Sequence, residues 1–291
     1  MIKPFTAEQQ YYIERGNKLA ESLKGSVGRA LGVAKSKIEV KRHAYICSPP
    51  GAGKTFTVQA AADAAKIQLV KVHGAASMNY FVTAIACAAL IADGKDVVVW
   101  VDDCDSLFME TENLNVMKGA MDEERNVLAW GKNMTAQIST YEKSEHPGDQ
   151  LKAQALRAFQ PEGSVGLEVP TNKIRFIVTS NKMLTPPNSD LKTSKKMHEA
   201  AIRDRVNYVE FDIDGNESWG WVASVFLNND IFKDKAHKLT KAQKHVLLDW
   251  MYTNWKRLPA TSMRAVKDYA AMMINHPSDY PDHWSLTLRK G

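Results

Sequence analysis

Between an apolar run, Ala44 to Cys47, and a helix-compatible run, Phe56 to Lys66, the chain reads Ser48-Pro49-Pro50-Gly51-Ala52-Gly53-Lys54-Thr55. A strand, a glycine-rich turn and a helix in that order form the context in which a backbone wraps a polyphosphate. Glycines 51 and 53 let the main chain curl so that its N–H groups point inward, and the following helix adds the positive end of its dipole. In such a loop Lys54 reaches the β- and γ-phosphates and the Thr55 hydroxyl ligates Mg²⁺. Pro50, Ala52 and Phe56 belong to the same nucleotide-binding stretch. The first position of the pattern, usually glycine, is Ser48, which suits the turn as long as its dihedrals stay in ordinary regions. The expected ligand is ATP or GTP.

The rest of the chain supplies strands to build on. Ile67 to His73 is a second strand candidate, and Asn79 to Ala92 is helix-prone and ends at Gly94. Val97 to Val101 is a continuous apolar run of the kind found in a parallel strand covered on both faces, and it delivers Asp102 and Asp103 at its end. An acidic pair there is what Mg²⁺-nucleotide chemistry needs, one carboxylate for the metal and one to polarise the attacking water. Leu114 to Trp130 reads as helical, Lys143 to Asp149 as turn-rich, and Leu151 to Phe159 as a short amphipathic piece. Lys173 to Ser180 is a fourth strand, ending in Thr179-Ser180-Asn181. A loop rich in Pro, Asn, Ser and Lys runs to His198. Ala201-Ile202-Arg203-Asp204-Arg205 leads into a last strand, Val206 to Phe211. Upstream, Thr6 to Leu31 carries helix signals, and Val33 to Arg42 is a basic approach that would line the base of a nucleotide. Beyond Asp212 only helical patterns remain: Ser218 to Leu227, Thr240 to Trp255 and Ser262 to Ile274.

Composition narrows the class. With 291 residues, 44% hydrophobic and 24% charged, the chain reads as an ordinary globular protein of one large or two unequal domains. No apolar stretch reaches the length of a membrane span, and the first residues lack a signal-peptide core, so a cytoplasmic location is expected. The 3 cysteines, Cys47, Cys87 and Cys104, read as reduced thiols. The 8 histidines contain no His-x-x-x-His pair, so no zinc site is expected. A hydrolase elbow, Gly-x-Ser-x-Gly, is absent as well. The net charge of +5 permits an acidic partner such as nucleic acid without demanding one.

Five strands, a phosphate loop after the first, acids after the third, a polar residue ending the fourth, an arginine before the fifth and a helical lid follow the order of the AAA+ ATPases, which residues 38 to 275 resemble. Ser48 to Thr55 is similar to Walker A, and Val97 to Asp105 to Walker B running into the Asp-Glu-x-Asp form. The resemblance implies an α/β fold: an αβα sandwich with a five-stranded parallel sheet and a small all-helical lid. It divides the chain into an N-terminal helical segment (1–40), a nucleotide-binding domain (41–213) and a lid (214–291). ATP and Mg²⁺ are the implied cofactors, with Thr55 and Asp102 on the metal. Asn181 matches sensor 1, Arg205 the arginine finger, with Arg203 as a second candidate, and Arg264 matches sensor 2. A finger acting in trans implies a homo-oligomeric ring. Where the family usually has Glu the chain has Asp103, shorter by one methylene, which points toward slow hydrolysis.

Three readings of the task follow. The chain is a DNA-metabolism ATPase of the clamp-loader or helicase-loader kind, a MoxR-like remodeller of protein clients, or an ATP-binding assembly switch with little turnover. Its size and lack of accessory domains fit a bacterial or phage protein. Tyr80 and Phe81 are the nearest candidates for a pore aromatic, although both also suit the start of a packed helix. The client is a protein or a nucleic acid, with no membrane.

Overall fold

A computed structural model describes residues 4–33, 41–211, 213, 215–230, 232 and 238–289. Most of the expected base-lining approach, residues 34–40, lies outside them. The chain forms two compact units. One comprises Gly25–Cys47 and Val58–Glu210, and the other Met1–Lys24, Ser48–Thr57 and Phe211–Gly291.

The first of these is built on five strands: β1 (Ala44–Cys47), β2 (Leu69–His73), β3 (Val97–Asp102), β6 (Ile174–Ser180) and β7 (Asn207–Glu210), in the spatial order β2-β3-β6-β1-β7. All neighbours pair in parallel, as strands that read as unbroken apolar runs do when both faces are covered. β1 is buried along its whole length. The register places Ile46 of β1 beside Thr179 of β6, and Thr179 beside Asp102 of β3, so one sheet edge carries the acid and launches the phosphate loop. Most of α2 (Lys54–Ala65) and helices α3 (Met78–Ala92), α4 (Thr111–Ala120), α5 (Thr135–Glu142), α6 (Pro147–Ala158) and α7 (Ser194–Arg205) belong to this unit. Its core draws Phe81, Ile85, Val99, Val101, Phe108, Met117, Phe176 and Val178 into one apolar cluster. Directly before β1, His43 is fully buried and accepts a hydrogen bond from the Phe176 N–H at Nδ1 (3.1 Å). Burial, with Arg42 and Arg175 adding to it, pushes its pKa down to about 3, so this imidazole is a neutral packing group.

Three expectations need correction here. Leu114 to Trp130 is not one helix: α4 ends at Ala120, and Val127–Trp130 is a strand, β4, paired antiparallel with β5 (Leu167–Pro170). The break is local, because the Asp122 carboxylate accepts the N–H groups of Glu124 (3.1 Å) and Arg125 (3.0 Å) and Asn126 turns left-handed at φ +52°. The loop after Asn181 ends earlier than His198, since the Thr193 hydroxyl accepts the Lys196 N–H and starts α7 at Ser194. Residues Lys143 to Asp149 are also partly helical, because Pro147 opens α6 with fixed φ and no N–H to lose. Phe81 is buried in the core, whereas Tyr80 is exposed on α3.

The other unit is helical. It holds most of α1 (Ala7–Ala30) with α8 (Gly215–Asn228), α9 (Lys241–Asn254), α10 (Met263–Asn275) and α11 (Tyr280–Leu286). Thr6 and Gln9 cap α1 reciprocally, and Thr240 with Gln243 forms a full capping box on α9. Trp219, Trp221 and Trp284 are buried here as core residues. α11 falls beyond the three expected helices; at 7 residues it is too short to announce itself by periodicity. Cys47 and Cys104 are buried, and Cys87 is half-buried. Among the described residues no helix is long and apolar enough to cross a membrane.

Candidate functional site

The phosphate loop has the backbone its glycines allow. Gly51 and Gly53 both sit at φ +81°, where a side chain would be strained, and α2 (Lys54–Ala65) starts directly after them. Ser48 is not among the left-handed residues, so the first position of the loop works without glycine. Lys54 is buried and its Nζ donates to the Ser48 carbonyl at 2.7 Å and the Pro49 carbonyl at 3.4 Å, which closes the loop around the ammonium. Pro50, Thr55 and Phe56 are exposed, and Ala52 is buried.

Helices of the same unit grip the loop from outside. The Gly51 carbonyl accepts the Met263 N–H at 3.1 Å, and the Ala52 carbonyl accepts the Trp221 indole N–H. A Cβ on Gly51 would stand 2.6 Å from the Ser262 Cβ, so this glycine is required by contact as well as by φ. Ser262 caps α10 by accepting the Ala265 N–H, and Arg264, in the first turn of that helix, is exposed. None of these contacts was legible in the sequence beyond Ser262 as a helix start.

The acidic edge belongs to the sheet unit. Asp102 ends β3, and its carboxylate accepts a hydrogen bond from the Thr179 hydroxyl, which in turn accepts the Trp100 indole N–H at 3.0 Å. Thr179 therefore fixes one oxygen of Asp102, a positioning role that sequence reasoning missed although Thr179 closes the expected fourth strand. Asp103 is exposed, with φ +52°, and its N–H donates to the Thr179 carbonyl at 3.0 Å. Two residues on, Asp105 accepts the Ser180 hydroxyl at 2.5 Å and the Asn181 N–H at 3.3 Å. The third acid of Asp-Asp-Cys-Asp thus ties down the backbone from which the exposed Asn181 side chain projects.

Both finger candidates lie at the end of α7 and are engaged within the chain. Arg205 donates to Asp122 Oδ2 at 2.9 and 3.1 Å and to the Ala201 carbonyl at 2.9 Å. The Arg125 N–H and this guanidinium hold the Asp122 carboxyl down at about 2. Arg203 donates to the Leu184 carbonyl (2.7 Å) and to Glu210 (3.0 Å), with its guanidinium 3.9 Å from the centre of the Tyr208 ring.

The family model described as "ATPase family associated with various cellular activities" matches residues 44–202, more than half of the chain. The protein belongs to the AAA family of ATPases. Its AAA region runs from β1 through most of α7 and takes in the phosphate loop, Asp102, Asp103 and Asn181. Arg203, Arg205 and Arg264 fall beyond its end. The AAA assignment brings nucleotide binding with it, and the five-stranded parallel sheet with helices agrees with the family's α/β architecture. No curated protein matches this AAA sequence.

Proposed function

We propose that this chain binds ATP with Mg²⁺, hydrolyses it, and assembles into a ring-like homo-oligomer that remodels a macromolecular partner, with DNA metabolism as the setting. The observation that carries the reading is the phosphate loop itself, two glycines at φ +81° closed around a buried lysine. A tight backbone curl at the start of a helix favours anions, and Lys54 adds the charge that polyphosphate requires.

The residues fit the cofactors. Thr55 offers a hydroxyl and Asp102 a carboxylate held by Thr179, hard oxygen donors of the kind Mg²⁺ prefers. When bound, the ion would neutralise charge on the phosphate oxygens. Asp103 accepts the proton of the attacking water, and Asn181 orients that water or the γ-phosphate by hydrogen bonding. Arg205, or Arg203 in its place, stabilises transition-state charge on the nucleotide of a neighbouring subunit, which requires it to exchange its present partners on assembly. Arg264 reports the γ-phosphate to the C-terminal helices, residues 214–291, which we read as the lid.

The net charge of +5 and the Asp-Asp-Cys-Asp run favour a DNA-metabolism client over a protein client of the MoxR-like kind. Phosphate release with Mg-ATP tests the enzymatic reading. Lys54→Ala and Asp103→Asn are each expected to lower turnover at least 100-fold, on the order of what positioned charge and proton transfer contribute. Equal turnover in wild type and both variants sinks the assignment.

A further inference from the structure

At the junction of α10 and α11 the fold collects a group that the linear sequence scatters. His276 ends α10, Asp279 precedes α11, and His283 lies within α11, with one potential ligand atom from each inside 4.8 Å of the others. The two imidazoles lie 4.1 Å apart at 31°, and His283 Nε2 stands 3.3 Å from Asp279 Oδ2. Ser278 Oγ reaches the other Asp279 oxygen only at 3.4 Å. The backbone is fixed beneath the side chains, since the His276 carbonyl accepts the N–H groups of Tyr280 (2.9 Å) and Asp279 (3.3 Å).

We infer that His276, Asp279 and His283 form a binding site for a divalent transition-metal ion of the zinc type. Two imidazoles and one carboxylate select zinc and its neighbours over Mg²⁺ or Ca²⁺, which prefer all-oxygen shells. Donors about 2 Å from one ion stand roughly 3.3 Å apart in a tetrahedron, so small side-chain rotations close the site and leave a fourth position to water. The expectation of no zinc site rested on the absence of a His-x-x-x-His pair on one helix. Here the ligands come from two helices and the turn between them, a spacing of His-x-x-Asp-x-x-x-His.

The site has a structural use. A helix of 7 residues does not hold together on its own. α11 has no side-chain N-cap hydrogen bond and is anchored through the buried Trp284, whose indole donates to the Tyr269 carbonyl at 3.0 Å. A metal bridge from His276 to His283 would tie it to the end of α10 at a second point. The inference is independent of the nucleotide chemistry.

The test is calorimetric titration of ZnCl₂ into tag-free, chelator-treated full chain in excess Mg²⁺, with Co²⁺ absorption as a second probe. One ion per chain is expected, with a tetrahedral Co²⁺ spectrum. Binding should weaken about tenfold or more in H283Q or D279N, at least what supporting partners of a metal contribute. It should vanish in the H276Q/H283Q double variant, whose far-ultraviolet circular dichroism stays that of wild type. Zn²⁺ should raise the thermal midpoint of the wild type and not of the double variant. No binding to the wild type, or equal binding to the folded double variant, overturns the inference.

Discussion

At the scale of single residues, Asp103 is the most informative. Its φ of +52° lies in the left-handed region, which Asp and Asn enter more readily than longer side chains. The departure from the family's usual Glu thus coincides with a backbone that favours the shorter acid. Two consequences separate chemistry from strain. Asp103→Asn keeps the conformation comfortable and removes only the proposed base. Asp103→Glu extends the carboxylate and puts a less tolerant residue at positive φ, and should lower stability by about 1 kcal/mol relative to Asp103→Asn. Urea midpoints of the two variants decide this, and equal midpoints would show that the left-handed backbone carries no cost. The phosphate loop, both aspartates and Asn181 were legible because short-range patterns encode them. Thr179, Asp105 and the partners of Arg205 were not, because each contact joins residues far apart in sequence, such as Arg205 with Asp122.

Among elements, the crossing of α1 and α8 shows what glycine does inside a helix. A Cβ on Gly16 would collide with the backbone of Gly220, and one on Gly220 with the backbone of Tyr12. In an isolated helix Gly→Ala stabilises by roughly 1 kcal/mol. Here the clash is with backbone, which cannot rotate away, so close packing decides the sign. Gly220→Ala should lower the thermal midpoint by several degrees, as a net loss of about 1–2 kcal/mol does. A raised midpoint would mean that the helices separate at no cost. The same scale explains which strands could be read. β3 and β6 are long buried apolar runs, whereas β4 and β5 have only 4 residues each and alternate between buried and exposed positions. With Met117 and Met121 upstream, β4 merged into a helical pattern, and only the Asp122 turn marked the break.

For the whole molecule, the phosphate loop groups with the C-terminal helices through Met263 and Trp221, while the acidic edge is part of the sheet unit. That division was hidden from the sequence because the loop is contiguous in the chain with β1, which belongs to the sheet. Family membership assigns the ATPase class, and the proposed ring follows from arginines beyond the matched region. If Arg205 completes the site of a neighbouring subunit, an isolated chain lacks part of its machinery. The most direct measurement is ATP turnover per subunit as a function of protein concentration, in Mg²⁺ and saturating ATP. The account predicts a rate per subunit that climbs with concentration to a plateau and stays near the floor in Arg205→Ala. A measurable rate that is constant across dilution and unchanged in that variant would contradict it.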